Sequence, residues 1–333
     1  MLPTMNDFRW GILGPGRIAR QFALGVAACP GQRIAAVGSR ELSRAQDFAR
    51  DHARSSQVAV HGSYEALIAD PNVDAIYIAT PHPAHVDQAV ACLNAGRPVL
   101  CEKPLAVNSA QVERILAASV AKKTFLMEGM WTRCIPIHGV VKEWIDQGRI
   151  GRVRMVQASF GFRAGWDPAS RLLDPALAGG GLLDVGVYVV SVALWAMGRA
   201  PISVQAAGHR GLTGVDEQAA LVLGFSDGGV ALLDCAVRTR TEVAVRIYGE
   251  EGMITITPPF YKATTAVIDA GGAKEERVCP LRASGFEYEI EEAARCIRAG
   301  LIESSAMTHA DSRAVMAVLD QARRQIGVSY PCE

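Results

Sequence analysis

The chain has 333 residues, half of them hydrophobic and a fifth charged, with 34 lysines and arginines against 34 aspartates and glutamates. That length exceeds one typical core and calls for two domains, while the balanced charge leaves no field to gather nucleic acid or an acidic membrane surface. No basic stretch with an apolar run behind it opens the chain, which argues for the cytoplasm, and the eight cysteines, none in a CxxC pair, read as reduced, mostly buried thiols.

Phe8–Leu13 is an apolar strand that runs through Gly11 into Gly14-Pro15-Gly16, and an amphipathic helix is expected over Ile18–Ala28. Gly14 permits a tight turn, Gly16 lets backbone approach a pyrophosphate, and Ala19 is the small residue that close helix–strand packing needs. The helix start offers free N–H groups and a positive dipole end, so Gly14, Gly16, Arg17 and Ile18 form the candidate phosphate cradle. A second strand, Arg33–Gly38, follows at the spacing where a dinucleotide fold reads the ribose. There the chain carries Ser39 and Arg40, with Arg44 one turn on, where an NAD enzyme usually has Asp or Glu. A hydroxyl and a guanidinium suit a phosphate monoester, so NADP is the expected cofactor and NAD the alternative.

Strands at Val58–His61, Ala75–Ala79, Val99–Cys101 and Thr124–Met127 alternate with helices at Ser43–His52, Tyr64–Ala69, Ala84–Ala95 and Ser109–Lys122. This βαβα rhythm predicts an α/β, doubly wound parallel sheet: a Rossmann domain over residues 1–126. Ligands gather beyond the carboxyl ends of such strands, which singles out Thr80, His82, His85, Glu102 and Lys103. Lys103 is expected to face the nicotinamide half of the crevice. His82 and His85 have HxxH spacing but no further ligand nearby in sequence, so no metal is expected. They are read as hydrogen-bonding to cofactor or substrate, or as structural.

After about residue 127 the period changes. Short β-rich runs are expected at Arg152–Phe162, Ile202–Ala207, Glu217–Phe225, Gly229–Val237, Glu242–Tyr248, Met253–Thr257 and Thr264–Ile268, with turns at Ser226–Gly229 and Gly249–Gly252. Residues 127–333 thus read as an α+β domain with a large open, mostly antiparallel sheet and helices at Gly181–Met197, Tyr288–Ala299 and Ala310–Ile326. The apolar stretch Gly179–Gly198 carries Asp184 and reads as a buried helix, not a membrane span. Alternating Ala219, Leu221 and Leu223 suggest a sheet face buried between subunits, giving a homodimer or a dimer of dimers. Asp184 and Tyr188, four apart, share a face of an α-helix and need partners if buried. On the residues alone, Tyr188 is equally a structural tyrosine, and Trp131, Phe160, Trp166, Phe260 and Tyr261 are equally core aromatics.

The glycine loop, the Glu102-Lys103-Pro104 triplet and the run Gly179–Tyr188, in that order, resemble the Gfo/Idh/MocA oxidoreductases. The resemblance extends through Ser63-Tyr64-Glu65, Thr80–His85, Met127–Arg133 and Ile326–Pro331. It is strongest to the branch of dimeric dihydrodiol dehydrogenase and NADP-dependent D-xylose dehydrogenase, which typically has tyrosine where many relatives have histidine, as at Tyr188. The resemblance implies hydride transfer between nicotinamide C4 and a carbinol or carbonyl carbon of a sugar-like or cyclic diol substrate. It also implies proton transfer by Tyr188 with Lys103, since a phenol of pKa near 10 is a poor base at neutral pH and an ammonium neighbour favours its phenolate. By the same resemblance Asp184 orients Lys103 or binds a substrate hydroxyl, the Lys103–Pro104 peptide is cis, and Trp131 and Phe160 wall the substrate pocket. Arg133 and Arg163 serve either the pocket or the dimer. Two alternatives remain. Ser39-Arg40 and Tyr188 count against an NAD-linked inositol-type dehydrogenase, and a silent dinucleotide sensor has no need of both Lys103 and Tyr188.

Overall fold

Short strands with near-continuous apolar runs are suited to burial on both faces, and the first third of the chain uses them that way. The computed structural model describes residues 7–53 and 57–333, so the reading of the first six residues as free of an export signal lies outside the described part. The chain divides into two units, the first made of residues 1–106, 110–131 and 281–309. Its strands are β1 (Phe8–Leu13), β2 (Gln32–Gly38), β3 (Ala59–His61), β4 (Ala75–Ile78), β5 (Val99–Glu102) and β6 (Leu126–Gly129). They lie parallel in the order β3-β2-β1-β4-β5-β6. Helices α1 (Arg17–Ala27), α2 (Leu42–His52), α3 (Tyr64–Ala69), α4 (His85–Asn94) and α5 (Ser109–Lys122) connect them. The order reverses between β1 and β4, and that is where a doubly wound sheet opens a ligand crevice at its strand ends. Trp10, Ile12, Ile76, Tyr77, Ile78 and Leu100 are wholly buried, and Phe22 stacks on Tyr77 with ring centroids 3.7 Å apart.

The boundary expected at residues 126–127 proves more involved, because Leu281–His309 returns to the first unit. This segment carries α8 (Glu287–Arg298), which crosses α1 at Gly25. A Cβ there would stand 2.8 Å from Ile290 Cδ1 and 3.0 Å from the Glu287 nitrogen, so only glycine allows the approach. The Cys29 thiol donates to the Glu287 carbonyl at 3.5 Å.

The second unit comprises residues 107–109, 132–280 and 310–333. Its strands are β7 (Val153–Gly161), β8 (Ser203–Arg210), β9 (Asp216–Gly224), β10 (Val230–Ala236), β11 (Val245–Gly249), β12 (Gly252–Ile256), β13 (Thr265–Ala270) and β14 (Ala273–Val278). The order is β14-β13-β12-β11-β7-β10-β9-β8, antiparallel throughout except for the β7–β10 pair. Helices α6 (Pro136–Asp146), α7 (Val187–Met197) and α9 (His309–Ile326) accompany this sheet. The stretch Pro175–Met197 is long and apolar enough to cross a membrane, but 94% of its apolar window is buried inside the molecule, with α7 packed on β7 and β10.

The sheet also corrects which face looks outward. Ala219, Leu221 and Leu223 point inward and are buried within the chain. The outward row instead presents Ala220 and Val222 of β9, with Leu232 of β10 paired beside Val222. A one-residue offset exchanges the faces of a strand, and alternation alone does not say which side the helices cover.

Candidate active site

At the end of β1, Gly14 has φ +92°, and a Cβ there would come within 2.6 Å of Thr80 Cγ2 and 3.2 Å of the Thr80 nitrogen. Both the conformation and the space demand glycine. Thr80 in turn donates its hydroxyl to Gln88 Oε1 at 2.5 Å. Gly16 is different: a Cβ would meet nothing closer than the Ala79 carbonyl at 3.9 Å. It caps α1 without any side-chain cap bond, and exposed Arg17 and Ile18 follow. The helix therefore begins with backbone N–H groups that no side chain caps, behind a residue whose missing side chain leaves room on the outer side. That is the cradle a pyrophosphate needs.

At the end of β2, Ser39 is buried, donating its N–H to the His61 carbonyl at 3.1 Å and accepting from the Glu41 N–H at 3.2 Å. Arg40 is exposed and makes no ion pair among the described residues, whereas Arg44 lies 3.8 Å from Glu41 with both side chains more than half exposed. Arg40 is thus an unneutralised guanidinium at the ribose-reading position, which fits a 2′-phosphate.

The turn after β5 is held from beneath. The Tyr77 hydroxyl donates to Glu102 Oε1 at 2.5 Å, and burial together with the Glu102 and Glu289 carboxylates pushes this phenol well above its usual range. The Leu105 N–H donates to Glu128 Oε1 at 3.0 Å. Between these residues the Lys103–Pro104 peptide is cis. His85 lies fully buried, its Nδ1 2.9 Å from the Pro104 carbonyl and its Nε2 2.9 Å from that of Thr80. His82 is nearly buried and meets His85 edge-on at 5.9 Å. Glu102 and His85, expected at the cofactor, therefore face the protein interior and shape the turn that carries Lys103. Glu289 of α8, which sequence reading missed, is wholly buried with neither carboxylate oxygen hydrogen-bonded among the described residues, and burial raises its pKa well above normal.

In the second unit Gly179 and Gly180 have internal reasons. A Cβ on Gly179 would stand 2.7 Å from the Leu172 carbonyl, and one on Gly180 (φ +114°) 2.3 Å from Asp216 Oδ1. The Tyr330 hydroxyl donates to the Gly179 carbonyl at 2.7 Å, and Asp216 Oδ2 accepts from the Leu182 N–H at 2.6 Å. From there Leu182–Gly186 winds as a π-turn before α7. This wider winding rotates Asp184 away from the simple α-helical alignment with Tyr188 that a four-residue spacing predicts. Asp184 is nearly buried, and Arg171 Nη1 holds one of its oxygens at 2.9 Å, a partner absent from the sequence reading.

Tyr188, 7% exposed, lies in an aromatic cluster. Its ring is 5.4 Å from Phe160 and 6.1 Å from Tyr261; Phe160 and Tyr261 stack at 4.8 Å and 7°, and Phe260 meets Phe160 edge-on at 5.8 Å. Phe160 thus lies beside Tyr188. Trp131 belongs to the first unit, where it stacks on Phe286 at 4.8 Å and sits against Gly285, whose φ is +95°. Arg133 has a side chain only 4% exposed and pairs with Asp311 at 2.9 Å. Arg163 is exposed and bridges Arg238 across the chain.

Residues 8–130 match the oxidoreductase family with an NAD-binding Rossmann fold, and residues 138–255 match the GFO/IDH/MocA C-terminal domain. The sequence is 36% identical to a trans-1,2-dihydrobenzene-1,2-diol dehydrogenase of Danio rerio, over 97% of this chain and 98% of the other. It is 35% identical to the enzyme of that name from Sus scrofa, with the same coverage of 97% and 98%. Among solved structures, an aldose-aldose oxidoreductase from Caulobacter crescentus complexed with glycerol superposes with a TM-score of 0.86 at 26% identity, covering 96% of this chain and 97% of that one. A 3-ketoreductase from Actinomadura kijaniata, in complex with TDP-benzene and NADP, gives 0.82 at 26% identity, with 96% and 98% covered. With both halves matched in order and relatives above 30% identity over nearly the full length, the chain belongs to the Gfo/Idh/MocA family of oxidoreductases, an NAD(P)-binding Rossmann domain followed by the family's C-terminal domain.

Proposed function

We propose that the protein is an NADP-dependent dehydrogenase or reductase acting on a carbinol or carbonyl of a sugar-like or cyclic diol substrate, of the aldose 1-dehydrogenase or trans-dihydrodiol dehydrogenase type. The observation that carries this reading is Tyr188, a nearly buried tyrosine beside Phe160 and Tyr261. Aromatic faces suit the C–H faces of a sugar or the ring of a cyclic diol, and the phenol is the polar group that orients the reacting carbon. The names of the relatives, a dihydrodiol dehydrogenase and an aldose-aldose oxidoreductase, support the same substrate class.

When bound, the nicotinamide supplies the hydride acceptor or donor at C4. Gly14, Gly16 and the start of α1 would hold the pyrophosphate, and Ser39 and Arg40 would hold the 2′-phosphate. In the oxidative direction Tyr188 takes the hydroxyl proton as hydride leaves; in reduction it returns that proton. Lys103 favours the phenolate form of Tyr188 and polarises the reacting oxygen. The active form is a homodimer or a multiple of one, joined through the outward sheet row of Ala220, Val222 and Leu232. A cytoplasmic setting goes with this reading, given eight free cysteines.

The test is kinetic, after a screen of aldoses, inositols and trans-dihydrodiols with NADP and NAD. Tyr188→Phe removes only the hydroxyl and should lower kcat by about a hundred- to ten-thousand-fold, leaving NADP affinity within about twofold. Lys103→Met should do similar damage, and the double variant should be little worse than either single one, because residues that act as a unit are not additive. Retention of most of kcat by Tyr188→Phe on a good substrate refutes the assignment.

A further inference from the structure

His85 opens α4 with both ring nitrogens against backbone carbonyls, Nε2 2.9 Å from Thr80 and Nδ1 2.9 Å from Pro104. A carbonyl oxygen only accepts, and a neutral imidazole has one N–H. One proton therefore serves one carbonyl and leaves the other facing a ring lone pair, whereas two protons serve both. The two carbonyls belong to the two segments that matter most in this unit. Thr80 is the residue that Gly14 of the glycine loop packs against, and Pro104 directly follows Lys103.

The groups that set the ring's charge are near. Burial disfavours the imidazolium and lowers the His85 pKa, the Lys103 ammonium opposes it further, and the Thr80 and Pro104 carbonyls pull the other way. His82, in the turn just before α4, meets the ring at 5.9 Å.

We propose that His85 is the positioning residue of Lys103: its ring ties the Lys103–Pro104 turn to the loop after β4 through the Pro104 and Thr80 carbonyls. With one proton on the ring, one carbonyl receives a donor and the other faces the lone pair. The kinetic part of this inference rests on the role given to Lys103 above; the place of the ring proton between the two carbonyls does not.

Two measurements test it. Long-range 1H–15N NMR of histidine-labelled apoenzyme locates the ring protons, with the His85→Gln spectrum identifying the His85 signals. A singly protonated ring is expected near neutral pH, with a midpoint below that of an ordinary histidine, and Lys103→Met should move that midpoint upward. A ring doubly protonated near neutral pH, or a midpoint indifferent to Lys103→Met, overturns the placement of the ring between the two carbonyls beside Lys103. In the second measurement, His85→Gln keeps one donating group and His85→Phe keeps only the flat ring. They should lower kcat by about ten- and about a hundredfold, with the NADP Kd within about twofold, because misplacing a reacting group by about 1 Å costs that much. A folded His85→Phe variant whose kcat stays within about twofold of the parent overturns the positioning role. If His85→Phe does not fold, the His85→Gln kinetics and the NMR titration decide. If Lys103→Met itself retains full kcat, the function given to Lys103 fails, and the NMR shift still reports on His85.

Discussion

Replacing Asp216 by asparagine should make the protein more stable above neutral pH and flatten its stability across the acid range. Asp216 begins β9 fully buried, with one oxygen accepting from the Leu182 N–H at 2.6 Å and the other without a partner among the described residues. Burial raises its pKa from 3.8 to about 7, against smaller opposing pulls from the Leu182 and Gly181 backbone and the Arg323 charge. The folded state thus holds this proton more tightly than the unfolded chain. Stability from this group is full below about pH 4 and is lost as pH rises towards 7. At about 1.36 kcal/mol per unit, the interval from 3.8 to about 7 corresponds to a loss on the order of 4 kcal/mol. Asparagine cannot ionise and keeps an acceptor for Leu182. Urea unfolding followed by tryptophan fluorescence, at several values between about pH 5 and about pH 8, should show the variant gaining on the parent by a few kcal/mol as pH rises. A difference that does not change with pH, or a variant that loses ground as pH rises, refutes the reasoning.

The two glycines of the phosphate loop should behave oppositely. Gly14→Ala meets Thr80 at 2.6 Å with φ +92°, so thermal melts should show a loss of about 1–3 kcal/mol even without cofactor. Gly16→Ala has room within the protein and should change the cofactor-free melt by less than about 0.5 kcal/mol, while abolishing most of the upward shift that NADP gives the parent. Arg40→Ala should weaken NADP by about ten- to a hundredfold in titration calorimetry and spare NAD; equal losses would show that Arg40 does not read the phosphate. Val222→Lys combined with Leu232→Lys puts charge on the outward sheet row and should lower the mass seen by light scattering to that of a monomer. An unchanged oligomer places the subunit contact elsewhere.

Much of the first unit was legible because its signals are local. A run such as Phe8–Leu13 followed by Gly14-Pro15-Gly16 states a strand, a turn and a helix start within a dozen residues. Helix α6 had a signal that was passed over: Ile137, Val141 and Trp144, all buried, recur at helical spacing behind Pro136. Strand β14 had none, since Ala-Lys-Glu-Glu-Arg-Val lacks apolar alternation and pairs on one side only, at the sheet edge. In the site, the need for glycine at position 14 was legible because residue type and position carry the meaning. The partners of His85 and Asp184, two carbonyls and Arg171, were not legible because spacing does not reveal them. Asp216 was invisible for the same reason: nothing near it in sequence announces that it faces Gly180.

The late return of α8 bears on how the chain can be made and cut. The stacking partner of Trp131, the surface that Gly25 meets and the acceptor for Cys29 all lie within Leu281–His309. A nascent chain must therefore leave the ribosome with its nucleotide-binding sheet part-dressed until the whole eight-stranded sheet has been synthesised. During that interval an apolar strip along α1 and Trp131 is exposed, the kind of surface that recruits chaperones or neighbouring chains. The same wiring forbids a simple chimera. Grafting the first unit onto a relative at one junction near residue 131 strands it without α8, and a working exchange has to transplant two separate pieces of sequence.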